Sequence, residues 1–367
     1  MDIVDYLREK DEKIFKSRSV SSVESLVLSQ LTYYKLEKFE KGQSIGKILS
    51  DIDLDDLTKK YNRDDKDKEF LEAFRDHPSW SKVKLIDYSS LFDKDKEEQF
   101  TSMLFQLQED LYYIGFRGTD GTFTGWKEDF NMSYMASVPS QKSAINFTQK
   151  VVGDHEGSFF LGGHSKGGNL SHYAMLFVDD KTAGKIRRAD SFDGPGIRLP
   201  DLDKRIEARK AKLLKFLPEN SVVGRIYEID QDYVVTIKSK ALVVFDHDPF
   251  TWELDGGKFM LADDQSRFSN YVKETINNFN NSLDDDIKMD FLDFVYEVSK
   301  NLDTEYISEA NGDFRRSLAI FLKAFRNASP EKKNDWNKIR ENLKKASKES
   351  RQSLRSMDLP RKMEKEN

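Results

Sequence analysis

The chain has 367 residues, of which 38% are hydrophobic and 34% charged, enough for one large globular domain with appendages or for two domains. Its net charge of −6 argues against a general nucleic-acid-binding protein, which would normally carry a basic face. The sequence has no cysteine, which excludes disulfides, thiolate catalysis and cysteine-based zinc sites. The five histidines argue against an imidazole-rich metal site. We expect no metal and no organic cofactor.

The N-terminus carries no basic region followed by an apolar run, and no stretch approaches about 18 consecutive apolar residues. We therefore expect no secretory signal, no membrane span and a cytoplasmic location.

Residues 1–80 are expected to form a helical N-terminal region packed on the core. Ser21 and Glu24 have the spacing of a capping box, and an apolar stripe follows them along the chain.

The hydrophobic period changes after residue 80, where alternating patterns predict strands at 83–88, 103–107 and 111–116, the last two as an antiparallel pair. Strands and helices then alternate. We expect helices at 141–153, 168–178 and 201–216, and strands at 158–162, 188–193, 222–229, 233–238 and 241–245. This order favours an α/β fold over residues 81–300, with a mostly parallel sheet flanked by helices.

The remaining chain, 301–367, is expected to be a helical and basic tail. Helical patterns recur near 291–298 and 318–325, and from Glu331 onward twelve Lys or Arg face seven Asp or Glu. Two interpretations stay open: a solvated helix, and an arm making peripheral contact with an anionic membrane surface.

The pentapeptide Gly163-His164-Ser165-Lys166-Gly167 is the strongest chemical motif of the chain. It stands between an apolar run that predicts a short buried strand and a segment with helical spacing, which is the context of a nucleophile elbow. The glycines permit the sharp turn that such an elbow requires. Ser165 is therefore the predicted nucleophile of a serine hydrolase.

A serine hydroxyl needs a base, which follows it in the chain order Ser, Asp or Glu, His. Only His172 and His247 come after Ser165. His172 lies two turns along the predicted elbow helix and would point away, whereas His247 follows a predicted strand. The predicted base is therefore His247.

Three aspartates between nucleophile and base are candidates for the acid. Asp232 and Asp230 follow a predicted strand, and Asp193 ends the strand after the elbow helix. We rank Asp232 first, then Asp230, then Asp193.

The oxyanion hole needs two backbone donors, one from the residue after the nucleophile, here Lys166. Thr119, in the loop after the strand 111–116, is the expected source of the other donor. Phe123 and Trp126 follow this loop and are read either as a lid or acyl pocket or as ordinary packing.

These motifs resemble the motif series of class 3 lipases, and more closely a bacterial family of such hydrolases of unknown function, the Mbeg-like family. The similar segments are Phe116–Thr119 with Trp126 and Asp129, Gly163–Leu170, Phe192–Gly196, His247–Pro249 with Trp252, and Leu28–Tyr33. The resemblance covers roughly residues 1–300.

The resemblance implies an α/β-hydrolase fold, a triad of Ser165, Asp232 and His247, and oxyanion donors at Thr119 and Lys166. It implies cleavage of carboxylic esters, lipid-like or small, through an acyl-enzyme. The absence of cysteine and of a signal sequence distinguishes the chain from secreted lipases. The alternatives are a catalytically silent scaffold, and a thioesterase or amidase on the same triad.

Overall fold

The change of period after residue 80 marks the start of a seven-stranded sheet in the computed structural model of the chain. The structure describes residues 1–9, 14–58, 64–120, 122–132, 135–198, 202–228, 231–241, 246–282, 284, 286–290, 293 and 330–357. The strands, which neighbour one another in chain order, are β1 (Lys84–Asp93), β2 (Glu98–Gln108), β3 (Leu111–Phe116), β4 (Ser158–His164), β5 (Ile186–Phe192), β6 (Leu213–Pro218) and β7 (Val234–Ile237).

The sheet is mostly parallel, as predicted. Strands β1, β2 and β3 form an antiparallel meander, which includes the predicted pair of β2 and β3. Every neighbouring pair from β3 to β7 is parallel. The carboxyl ends of β3, β4 and β5 therefore meet at one edge, which is where ligands bind in such sheets.

Helices fill the crossovers between the parallel strands. They are α6 (Phe123–Asn131), α7 (Pro139–Asp154), α8 (Lys166–Phe177), α9 (Asp180–Lys185) and α10 (Leu202–Arg209) in chain order. Among the described residues of the N-terminal region, they are preceded by the α-helices α1 (Ile3–Arg8), α2 (Ser22–Leu31), α3 (Ile45–Ser50), α4 (Asp55–Thr58) and α5 (Asp64–Asp76). Helix α2 begins with the predicted capping box of Ser21 and Glu24.

The central strands of the sheet are buried on both faces, and consecutive side chains of a strand point to opposite faces. Phe160 belongs to the apolar core shared with the N-terminal helices, and Leu161 to the core shared with α7, α8 and α10. The same alternation separates Tyr113 from Ile114. The N-terminal region therefore forms one of the two helical layers that cover the sheet.

Two predicted elements differ from the structure. The helix predicted at 201–216 ends at Arg209, and Leu213–Pro218 form strand β6. This short apolar run is ambiguous by periodicity, and its pairing with β5 decides in favour of a strand. The strand predicted at 222–229 is wrong, because Val223–Arg225 form a single 3₁₀ turn whose Gly224 N–H donates to Asp193.

Beyond the sheet, a two-stranded ribbon of β8 (Leu254–Asp255) and β9 (Lys258–Phe259) precedes α11 (Arg267–Asn281), and α12 (Pro330–Met357) packs on α11. Outside the described residues lie the helix predicted near 318–325, all but residue 293 of the helix predicted near 291–298, and most of the strand predicted at 241–245. No helix within the described ranges is both long and apolar enough to cross a membrane.

Candidate active site

Ser165 sits on the sharp turn between β4 and α8, with φ 59° and ψ −130°. This conformation is costly for a residue with a side chain and is typical of functional positions. The turn is held by the Ser165 N–H, which donates to the Phe192 carbonyl at 2.9 Å. The serine is therefore presented at the carboxyl edge of the parallel strands, as the elbow motif predicts.

Glycine is required on both sides of this turn by close backbone approach. A Cβ at Gly163 would lie 2.3 Å from the Gly167 carbonyl, and a Cβ at Gly167 would lie 2.1 Å from the Phe116 carbonyl oxygen. The second contact also places the turn directly against the end of β3, where the Thr119 loop begins.

His247 is hydrogen-bonded to an aspartate at the carboxyl edge of the parallel strands. Its Nδ1 lies 2.6 Å from Asp193 Oδ2, and because an ionised carboxylate only accepts, Nδ1 carries the proton and Nε2 the lone pair. Asp193 is fully buried, and its Oδ1 accepts from Ser221 Oγ at 2.5 Å and from the Gly224 N–H at 3.1 Å. The imidazole is thus held in the tautomer that a general base requires.

The ranking of the acid is corrected by this geometry. Asp232, ranked first, is exposed in the turn before β7, and Asp230 lies outside the described residues. Asp193, ranked third, is the aspartate paired with His247. The reason is topological, because β5 is the direct parallel neighbour of β4 and its carboxyl end therefore lies beside the elbow.

The two candidate oxyanion donors come from two different segments, the start of α8 and the loop after β3. Lys166 is the first residue of α8, where a helix leaves backbone N–H groups without intrahelical acceptors. Within the described part of the chain, the Thr119 N–H also has no acceptor. The Thr119 hydroxyl is already engaged, since it donates to Asp129 Oδ2.

The Lys166 side chain is buried beneath the elbow. Its Nζ donates to the Gln99 carbonyl at 2.7 Å, to Gln99 Oε1 at 2.8 Å and to Glu128 Oε2 at 3.0 Å. Burial alone lowers the pKa of Lys166, but the carboxylates of Glu128 and Asp129 raise that pKa above its ordinary value. The lysine is therefore a charged structural anchor.

The carboxyl group of Asp129 has a clearly shifted pKa. Burial raises the pKa of Asp129 to about 6, against the opposing effects of the Lys166 charge and the Thr119 hydroxyl. One of its carboxylate oxygens, Oδ1, is buried and finds no hydrogen-bond partner in the described part of the chain.

His172 has a structural position. It is buried in α8, and its Nε2 donates to the Leu214 carbonyl at 3.1 Å. Burial, together with the Lys215 charge, lowers its pKa to about 4. It stays neutral near pH 7 and is directed toward β6.

Two residues that sequence reasoning did not place in the site are Tyr33 and His164. His164 Nε2 lies 2.8 Å from the His247 carbonyl, and His164 Nδ1 lies 2.9 Å from Tyr33 Oη. His164 stands inside the elbow motif and Tyr33 inside a segment that resembles the Mbeg-like family, but no spacing rule connects them.

The remaining predictions about the site concern ligands. Among the described residues, no group of three His, Asp or Glu side chains is placed to hold a metal ion. The side chains of Phe123 and Trp126 lie outside the described part of the molecule, so the acyl-pocket prediction stays a prediction.

Comparison with known proteins gives one family and distant structural neighbours. A family model described as Mbeg1-like matches residues 74–297, more than half of the chain. No curated protein sequence matches. The matching solved structures include a fungal lipase in complex with an inhibitor, described as a model for interfacial activation in lipases. That chain is 13% identical, with a TM-score of 0.41 and coverage of 71% of this chain and 92% of the lipase.

Proposed function

The chain belongs to the Mbeg1-like family, and we propose that it is a serine hydrolase that cleaves carboxylic esters through an acyl-enzyme. One observation carries this proposal. A serine on an elbow at φ 59° shares the sheet edge with a histidine whose Nδ1 lies 2.6 Å from a buried aspartate. Nucleophile, base and acid with these individual geometries are the parts that acyl transfer needs.

In the proposed reaction, Ser165 Oγ attacks the ester carbonyl while His247 Nε2 accepts the hydroxyl proton. Asp193 stabilises the imidazolium, and the N–H groups of Thr119 and Lys166 stabilise the tetrahedral oxyanion. The C–O bond breaks as His247 returns the proton to the departing alcohol. Water, deprotonated by His247, then attacks the acyl-enzyme, releases the carboxylic acid and regenerates Ser165.

Active-site labelling tests the nucleophile. We expect a fluorophosphonate probe to label the wild-type protein and Ser171→Ala but not Ser165→Ala. Ser171 is a matched control because it lies in α8 and its buried hydroxyl has no hydrogen-bond partner among the residues that the structure describes. Failure to label the folded wild-type protein would contradict the proposal and favour a catalytically silent scaffold.

Substrate profiling tests the reaction class. We expect turnover of p-nitrophenyl esters, measured over a series of acyl chain lengths, to exceed turnover of acyl-CoA and of amide analogues. A preference for acyl-CoA or for amides would reassign the same machinery to a thioesterase or an amidase. Phospholipid substrates in the same series test a lipid headgroup.

A further inference from the structure

The segment between α2 and α3 contacts the loop that carries Thr119 directly, and the loop that carries His247 through His164. We propose that Thr32–Glu37, called the 32–37 segment, is a positioning element of the site. It fixes both the base and the loop after β3 that carries Thr119, called the oxyanion loop. This inference rests on the proposed function. The segment lies outside the residues 74–297 that match the family model, so the family match does not assign it this role.

The contact with the base runs through His164. A carbonyl oxygen can only accept, so His164 Nε2 carries a proton and donates to the His247 carbonyl at 2.8 Å. Nδ1 of the neutral ring is then an acceptor, and Tyr33 Oη donates to it at 2.9 Å. Tyr33 and His164 are both buried, and the rings of His164 and His247 lie 4.5 Å apart.

A second ring N–H fixes the residue before the base. Trp252 Nε1 donates to the Asp246 carbonyl at 2.7 Å. In the loop that carries His247, called the base loop, the consecutive carbonyls of Asp246 and His247 are therefore both held by buried aromatic donors. The His247 side chain is held separately by Asp193. The position of Nε2 relative to the elbow therefore depends on the main-chain bond from His164.

The contact with the oxyanion loop runs through Arg117, two residues before Thr119. The buried guanidinium makes a bidentate pair with Glu37, at 3.0 Å and 2.7 Å. It also donates to the carbonyls of Thr32 at 2.5 Å and Tyr34 at 3.3 Å. These acceptors belong to the 32–37 segment. Thr101 of β2 also accepts, through its hydroxyl at 3.3 Å from the guanidinium and through its carbonyl at 2.9 Å from the Arg117 N–H. The segment and β2 together therefore fix the start of the loop.

Gly118 joins the two contacts. A Cβ at this position would lie 2.1 Å from Tyr33 Oη and 2.8 Å from the His164 carbonyl oxygen. The Tyr33 hydroxyl thus occupies the space against the oxyanion loop while it donates to the histidine beside the nucleophile. One hydroxyl touches the loop and the elbow directly, and the base loop through His164.

Removal of a residue that only positions catalytic groups lowers the rate of the chemical step without weakening substrate binding. Displacement of a catalytic group by about 1 Å can cost on the order of 10²-fold in rate. We therefore expect Tyr33→Phe to lower kcat on a p-nitrophenyl ester by roughly 10- to 100-fold, with KM changed less than about twofold.

Tyr113→Phe is the matched control. It also removes a buried tyrosine hydroxyl, which donates to the Ser25 carbonyl at 2.8 Å and lies outside the 32–37 segment. We expect Tyr113→Phe to lower thermal stability and to keep kcat. Equal kcat in Tyr33→Phe and the wild-type protein would overturn the inference.

A second pair of variants tests the bond to the base loop. Glutamine places an N–H donor near the position of the histidine Nε2, whereas leucine fills space without a donor. We expect His164→Gln to retain at least about tenfold more kcat than His164→Leu. Equal kcat in these two variants would contradict the role of this hydrogen bond.

Histidine-ring ¹⁵N spectra separate this inference from the proposed function, because the chain has only five histidines. We expect Tyr33→Phe, but not Tyr113→Phe, to shift His164 Nδ1 and the ring resonances of His247. If the wild-type protein were inert toward fluorophosphonate and esters while these shifts appeared, the proposed function would fail and the positioning contact would stand. If the wild-type protein were active and Tyr33→Phe left both kcat and the spectra unchanged, the positioning role alone would fail.

Discussion

At the scale of single residues, the backbone turn at Asp193 determines where its carboxylate points. Its backbone is left-handed, with φ 48°, and its N–H donates to the Phe216 carbonyl at 2.9 Å. This turn directs the carboxylate into a buried site where Ser221, Gly224 and His247 all donate to it. The sequence placed this aspartate last of three because such a turn also has an ordinary structural explanation.

The choice of acid makes a direct prediction. Asp193→Asn keeps an oxygen for Ser221 and Gly224 but offers His247 an amide N–H, which favours the wrong imidazole tautomer. We expect kcat to fall by roughly 10³- to 10⁴-fold, and Asp232→Asn, at an exposed turn, to change it less than about twofold. Ester hydrolysis by both variants measures this, and a larger loss in Asp232→Asn would restore the original ranking.

At the scale of elements, α6 is fixed to the core by three consecutive side chains. Lys127 Nζ contacts Glu97 at 2.5 Å and Asp293 at 2.6 Å, and Glu128 pairs with the buried Lys166. Asp129 accepts the Thr119 hydroxyl. This helix, which directly follows the oxyanion loop, is therefore anchored at both the sheet and the elbow.

The raised pKa of Asp129 predicts how this anchoring depends on pH. The folded state, in which the Asp129 pKa is about 6, binds the proton more tightly than the unfolded chain, in which the carboxyl has its ordinary pKa of 3.8. The free energy of unfolding therefore decreases as the pH rises from about 4 to about 6.

Asp129→Asn removes this titration while its amide oxygen still accepts from Thr119. We expect the stability of the variant relative to the wild-type protein to increase by roughly 2 kcal/mol between pH 4.5 and pH 7.5. Urea unfolding at the two pH values measures this difference. A pH-independent difference would contradict the raised pKa.

At the scale of the whole molecule, the basic tail contributes a long helix packed on the protein. Helix α12 buries Ile339, Ala346 and Ser350, and Ser347 Oγ lies 2.7 Å from Tyr271 Oη of α11. The opposite side of α12 exposes lysines, several of them paired with acids of the same helix. Contact of this exposed side with an anionic membrane surface remains a proposal.

The packing of α12 predicts the effect of a buried charge. Ala346→Asp places a carboxylate at a position that is 2% exposed. Burying a charge without a compensating partner is costly. We expect α12 to be released, with faster proteolysis and hydrogen exchange across 330–357. Lys348→Asp, on the exposed side, is the control and should retain protection. Equal protection in both variants would contradict this interface.

Much of the site is local in sequence and was predictable for that reason. The elbow needs only a short strand, glycines and a helix start, which are adjacent at Ser158–Phe177. His247 could be named as the base candidate by elimination, since only His172 and His247 come after Ser165 and His172 lies within the elbow helix. The mostly parallel sheet followed from the alternation of patterns, although the strand at Leu213–Pro218 could not be told from a helix by periodicity.

The sequence by itself determined the fold class, the elbow at Ser165 and His247 as the base candidate, because each depends on neighbouring residues or on chain order. Only the tertiary structure decided that Asp193 pairs with His247, because that contact depends on which strand lies beside β4. It also decided that Tyr33 reaches His164, 131 positions away. Such contacts depend on the packing of a helical layer against the sheet, which no local pattern encodes.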